Sequence, residues 1–165
     1  MKEFKIEIPV REVRIEELSD PDRELVEAAK AATARSYAPY SKFHVGAAIR
    51  MDDGSIVTGA NQENAAYPSG TCAERTAAYY ASAQHPGMPM RKLAVAAWTR
   101  LRQPDTTPDA DCFQREPISP CGACRQALLE YEHLFGPIEV ILYGADRTWI
   151  FPSVASLLPL TFTDF

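Results

Sequence analysis

The sequence predicts an α/β protein: a three-layer α-β-α sandwich on a mixed five-stranded sheet. Two observations carry this. Helix and strand patterns follow one another as α-β-β-α-β-α-β-β, and two strand segments, "KLAVAAWTR" and "IEVILYG", are continuous apolar runs that need cover on both faces. Two helices that each follow a strand can cross over to a parallel neighbour, which brings their N-termini to one edge of the sheet.

The elements run as follows. Phe4, Ile6, Ile8 and Val10 alternate with polar residues, as do Val13 and Ile15, predicting one or two short strands or an extended arm, with Pro9 between them. Ser19, Asp20 and Pro21 open a helix whose apolar positions are Leu25, Val26, Ala29 and Ala32, and Pro39 stops it. "FHVGAAIRMDDGSIVTGANQ" reads as a hairpin turning on its Asp-Gly. "CAERTAAYYASAQ" is a second helix closed by "HPGMP", and a buried strand follows. Residues 101–116 form a polar loop rich in Pro and Asp, longer than most connections. "CGACRQALLEYEHLF" is a third helix, followed by a buried strand, the turn "GADR", the short strand "RTWIF" and a short terminal helix in "SVASLLP". No repeat, low-complexity tract or linker marks a second domain. One domain over 19–165 is expected, preceded by an extension over 1–18.

Charge and composition narrow the function. A net charge of −5 with no run of Lys and Arg argues against a polynucleotide, which wants a basic stripe, and favours a small or neutral partner. "MKEFKIEIPV" lacks the apolar stretch of a secretory signal, and no run approaches the ~18 apolar residues of a membrane span. A cytoplasmic location is expected, with Cys72, Cys112, Cys121 and Cys124 as thiols rather than disulfides.

Cys121 and Cys124, at i and i+3, share one side of a helical turn, and Cys72 starts the other crossover helix. Helix N-termini favour thiolate, the form that binds metal. Three thiolates suit one tetrahedral zinc per chain and leave a position for water, as in catalytic rather than structural sites. Their negative charge opposes activation of that water, so Arg75, Arg125 and the two helix dipoles are expected to offset it. Glu74, two residues past a ligand, is placed to move protons between water and a leaving group.

Zinc deaminases of nucleobases carry this arrangement: a His or Cys, then x-Glu, then Pro-Cys-x-x-Cys, with the Glu not a ligand. "CAE" at 72–74 and "PCGAC" at 120–124 supply it. With "YAPYSKFHVGAAI", "GANQENAAYPSGTCAERTAA", "PISPCGACRQALLE" and "LLPLTF", the chain resembles the small zinc-dependent cytidine deaminase family from about residue 25 to 162. The resemblance implies the cytidine deaminase-like fold and hydrolytic deamination of cytidine and 2′-deoxycytidine in pyrimidine salvage. It implies that Asn61 and Glu63 hold the ribose 3′-hydroxyl, that Phe43 packs on the pyrimidine, and that Arg75 bonds to ligand sulfurs. Ala73 joins the substrate-binding set. Tyr67 and Phe162 match positions at subunit contacts near the active sites of a homotetramer.

The long loop with Cys112, the N-terminal extension, "SGT" before Cys72 and Gln62 within the ribose segment depart from the family pattern. Alternatives remain open at this point: a redox dithiol, a structural zinc, a catalytically silent zinc-stabilised binding module, or a deaminase of another cytosine-bearing small molecule such as a blasticidin-type antibiotic. Taken singly, Phe43 reads as core, Asn61 and Glu63 as polar strand-end residues, and Cys112 as an incidental thiol. His44, His85 and His133 read as surface or structural residues.

Overall fold

The computed structural model of the chain describes residues 1–99 and 112–163. Six strands, β1 (Arg11–Val13), β2 (Phe43–Met51), β3 (Ile56–Ala60), β4 (Met90–Thr99), β5 (Glu139–Tyr143) and β6 (Thr148–Phe151), form one sheet in the order β1-β6-β5-β4-β2-β3. Among these strands β4 and β5 pair parallel, and the other four pairings are antiparallel. The mixed sheet is as expected, but it has six strands rather than five. The added strand comes from the N-terminal extension, which lays Arg11–Val13 along β6 and joins it through Glu12, whose carboxylate accepts from Trp149 Nε1 at 2.9 Å.

Helices cover both faces. α1 (Asp20–Ala32) is capped by Ser19, whose hydroxyl accepts the Asp22 N–H at 3.3 Å, with Pro21 in the first turn. Its buried face, Leu25, Val26 and Ala29, packs on Ala48, Ala94, Ala96, Ile141 and Ile150. α2 (Ala73–Gln84) and α3 (Gly122–Phe135) lie on the other face. There Ala77, Ala81 and Leu128 meet Ile49, Leu93, Val95, Val140 and Leu142. Adjacent residues on β4 and β5 thus feed opposite cores, the period of two that a strand imposes. Leu93–Trp98 of β4 and Val140–Leu142 of β5 are accordingly apolar throughout.

Alanines bring α2 close to the sheet. A Cβ at Gly59 on β3 would stand 2.4 Å from the Ala77 backbone nitrogen, so only glycine admits the helix at this distance. That contact fixes the height of the α2 N-terminus at the sheet edge. The terminal helix predicted in "SVASLLP" is a single 3-10 turn, Ala155–Leu157. The predicted polar loop lies outside the described residues from 101 to 111, as does Phe165.

Candidate active site

Cys72 and Cys121 are the N-caps of α2 and α3, and Cys124 sits in the first turn of α3. A Ser, Thr or Asp at these positions would cap the helix with its side chain; neither thiol does, so both are free for other work. The sheet brings Cys72 and Cys121, 49 apart in sequence, to an Sγ–Sγ distance of 3.8 Å, and the helical turn holds Cys121 and Cys124 at 3.4 Å. A tetrahedral zinc with Zn–S bonds of about 2.3 Å has ligand edges of roughly 3.8 Å. The three sulfurs lie within 4.8 Å of one another and fit that geometry. Cys112 is buried in the core on the α1 face, across the sheet from the cluster.

The thiols do not share charge equally. Hydrogen bonding to Cys124, helped by Arg75 and Cys121, lowers the Cys72 pKa to about 5 against the opposing effect of burial. The bond to Cys72 and burial both push the Cys124 thiol up. Arg75 donates from Nη2 to Cys72 Sγ at 3.7 Å, and this bond raises its own pKa. Arg75 therefore stands where charge compensation was expected. Arg125 does not: its guanidinium donates to Pro120 O and Leu157 O, each at 2.7 Å, and to Ser119 Oγ at 3.0 Å. It clamps the segment before α3 to the C-terminal turn.

Glu74 is 4% exposed on the first turn of α2. Burial raises its pKa to about 7; its own backbone N–H and the Cys124 thiol oppose the rise, while negative charge on Cys72 adds to it. A carboxyl group titrating there accepts and returns protons near neutral pH.

The cleft above the cluster has a volume of about 820 Å³. It gathers Phe43, Asn61, Glu63, Tyr67, Cys72, Ala73, Glu74, Arg75 and Cys121. Phe162 is not among its lining; it is 67% exposed and its carbonyl accepts from Gln126 Nε2 at 2.8 Å. Asn61 is largely committed to the scaffold. Its Oδ1 accepts from Ser36 Oγ at 2.6 Å and from the Val45 N–H at 2.8 Å, and its Nδ2 donates to Phe43 O at 2.9 Å. Glu63 accepts the Tyr40 N–H at 2.9 Å, the Ser41 N–H at 3.3 Å and the Ser41 hydroxyl. Burial pushes the Glu63 pKa up, but these bonds outweigh it and the net shift is downward.

Sequence reasoning missed Tyr40 and Ser41, which line the cleft and take hold of Glu63. The signal was a Ser two residues before Phe43, ahead of a strand. It also missed Thr71 and Ser119, polar residues of the same wall. Neither has a distinctive spacing.

The chain matches the family described as cytidine and deoxycytidylate deaminase zinc-binding region over residues 19–134. It is 37% identical over 139 residues to a cytidine deaminase of Sporosarcina psychrophila, covering 84% of this chain and 89% of the relative. A probable cytidine deaminase of Dictyostelium discoideum is 37% identical over 138 residues, 84% of this chain and 81% of the relative. Among solved structures, the cytidine deaminase of Burkholderia pseudomallei matches with 40% identity and a TM-score of 0.67, over 84% of this chain and 97% of that one. The enzyme of Mycobacterium tuberculosis matches with 31% identity and a TM-score of 0.64, over 88% and 99%.

Proposed function

The chain belongs to the cytidine and deoxycytidylate deaminase zinc-binding family and is a zinc-dependent enzyme that hydrolyses cytidine to uridine and ammonia; on that premise we propose Glu74 as its proton shuttle and 2′-deoxycytidine as a second substrate. Cys72, Cys121 and Cys124 would hold zinc, which when bound would supply Lewis-acid activation of water. Glu74 takes a proton from the water that attacks C4 of the base and delivers it to N3. It then carries the second proton to the departing amine, so that water and cytidine leave as uridine and ammonia.

One observation carries this reading: a buried carboxyl group lines a cleft large enough for a nucleoside, beside three thiols spaced for a metal. Arg75 keeps the thiolate charge from opposing the chemistry by bonding Cys72. Purified protein should hold one zinc per chain and remove the ultraviolet absorbance of cytidine, with ammonia released in equal amount. Zinc-loaded protein that binds cytidine and releases no ammonia would establish the silent binding module instead.

Phe43 is assigned to the face of the pyrimidine, and Ala73 and Tyr67 to the wall around it. Asn61 and Glu63 are assigned to the 3′-hydroxyl. Asn61 has one Nδ2 proton beyond the bond to Phe43 O, and Glu63 holds the turn at Tyr40 and Ser41 while facing the cleft. The substrate is a small nucleoside rather than a polynucleotide, in keeping with a net charge of −5.

A homotetramer is the assembly proposed, with Phe162 covering a neighbour's base and Tyr67 at the contact. Tyr67 and Leu160 at 77% exposure and Phe162 at 67% support it, as apolar surface that a single chain leaves in water. Mixed oligomers of Glu74→Gln and Phe162→Ala chains should then show activity above the average of the parents. No gain after verified subunit exchange would place Phe162 outside any neighbour's pocket. The cluster of three thiols suits a reducing compartment, and the cytoplasm in pyrimidine salvage is the setting proposed. The deaminase domain is taken to begin at residue 19, where the family match begins.

A further inference from the structure

The first ten residues form an arm that the deaminase reading does not use. Phe4 is 78% exposed, Ile6 and Ile8 48% each, and Val10 50%. No hydrogen bond ties residues 1–10 to any other described residue. The arm nonetheless continues directly into β1, the outermost strand of the sheet. The β1–β6 register explains why it departs there. Extending the pairing of Arg11 with Ile150 by two residues would set Pro9 opposite Pro152, and neither proline has an N–H to give the ladder.

An alternating segment left unpaired beside an edge strand is a template for another strand. Its charges select which one. Lys5 and Glu7 lie on the face opposite Phe4, Ile6 and Ile8. Pair the segment antiparallel with itself about Ile6: Lys5 meets Glu7 twice, Phe4 meets Ile8 twice, and Ile6 meets Ile6. Moving the centre to Lys5 sets two lysines against each other and Glu3 against Glu7. Moving it to Glu7 sets two glutamates face to face. Moving it to Ile8 sets Lys5 against Arg11. Only the register about Ile6 has opposite charges and apolar partners at every position from 4 to 8.

We propose that residues 4–8 of the arm pair, antiparallel and centred on Ile6, with the same segment of a second copy of this chain. The ribbon joins the outer strands of two sheets, and its apolar side brings together Phe4, Ile6 and Ile8 of both copies. It does not depend on the deaminase chemistry or on the contacts proposed around Phe162.

Disulfide trapping in the zinc-loaded, full-length protein tests both the pairing and its register. With diamide as oxidant and the unsubstituted chain as control, Ile6→Cys should give a covalent dimer on a non-reducing denaturing gel, since residue 6 faces its own copy. Phe4→Cys alone should not, because its partner is residue 8; Phe4→Cys with Ile8→Cys should. Adding Lys5→Glu to Ile6→Cys turns two cross-strand pairs from attraction to repulsion and should slow trapping on the order of tenfold at low salt. The further change Glu7→Lys should restore the rate. Absence of a dimer with Ile6→Cys overturns the proposal. Equal trapping of Ile6→Cys and Phe4→Cys, or no effect of Lys5→Glu, overturns the register and with it the argument.

Discussion

Glu74 and Glu132 are buried glutamates on helices that pack against the same face of the sheet, 4% and 9% exposed, and their surroundings differ completely. Glu132, near the end of α3, receives the backbone N–H groups of Ile138 at 2.9 Å, Val154 at 2.7 Å and Ala155 at 2.9 Å. It ties the helix to the entry of β5 and to the C-terminal turn. Glu74, at the start of α2, has its own backbone N–H, the Cys124 thiol and the nearby Arg75 charge among the described residues, and burial raises its pKa to about 7. A buried carboxylate ringed by donors is a structural fastening. One left short of donors beside a cleft is suited to carrying protons, the role proposed for Glu74. The residue type is the same, and the count of donors separates the roles.

The largest effect should come from Glu74→Gln, which keeps the shape and removes the basicity. Turnover should fall by at least ~10²–10⁴, with zinc content and folding retained. Near-normal turnover with zinc bound would break the comparison at its functional end.

Glu132→Ala should do the reverse. It leaves three backbone N–H groups unsatisfied in the interior and should cost roughly 3–5 kcal/mol of stability. Glu132→Gln keeps one acceptor oxygen and should cost about 1–3 kcal/mol. Denaturant unfolding at fixed protein concentration measures both, and turnover per folded chain should stay close to that of the parent. A stable Glu132→Ala protein would show that the three bonds contribute little.

Glu63 lies between these extremes, fastening the turn at Tyr40 and Ser41 while facing the cleft. If its main work is on the sugar, Glu63→Gln should weaken cytidine by roughly 1.5–3 kcal/mol and hardly affect 3′-deoxycytidine. Equal losses on the two substrates would assign it to the turn.

A smaller effect belongs to the ion pairs of Lys92. Lys92 Nζ bridges Asp22 at 2.6 Å and Glu139 at 2.8 Å. Burial opposes ionisation of Asp22, but the bond from Lys92 prevails and its pKa is lowered; the same bonds raise that of Lys92 against burial. The Asp22 contribution is therefore complete above the unfolded carboxylate pKa and is lost as pH falls through the lowered folded value. The Lys92 contribution is complete below its unfolded pKa and is lost as pH rises through the raised one. Lys92→Met should cost about 1 kcal/mol near neutral pH, discounted for partial exposure, and less below pH ~4. A difference independent of pH on the acid side would show that packing, not charge, was lost.

Cys112→Ser completes the series with no expected change in zinc content, since Cys112 lies on the α1 side of the sheet. Loss of the metal would overturn the ligand assignment.

The site was legible in the sequence wherever its signal was local. Cys72 and Glu74 at one helix start, and Cys121 and Cys124 one turn apart at another, follow from spacing and ligand chemistry. The rule for crossover connections then brings the two starts together. The apolar runs of β4 and β5 announced helices on both faces for the same reason. Residues whose role depends on what another element presents were not legible. Arg125 was expected to offset thiolate charge, but the carbonyls of Pro120 and Leu157 take its guanidinium. Glu132 has no sequence signature, because its partners are backbone N–H groups that any residue carries.

The sequence by itself determined the layers, the three thiols and the carboxyl group beside them, because periodicity and helix-start chemistry act within a few residues. Tertiary structure alone decided that the extension adds a sixth strand, that Glu63 grips the turn before Phe43, and that Phe162 stays outside its own cleft. Each of those outcomes depends on backbone hydrogen-bonding groups and free surface at a place the chain reaches only after folding. Such groups are the same at every residue, so no pattern of side chains records where they will be.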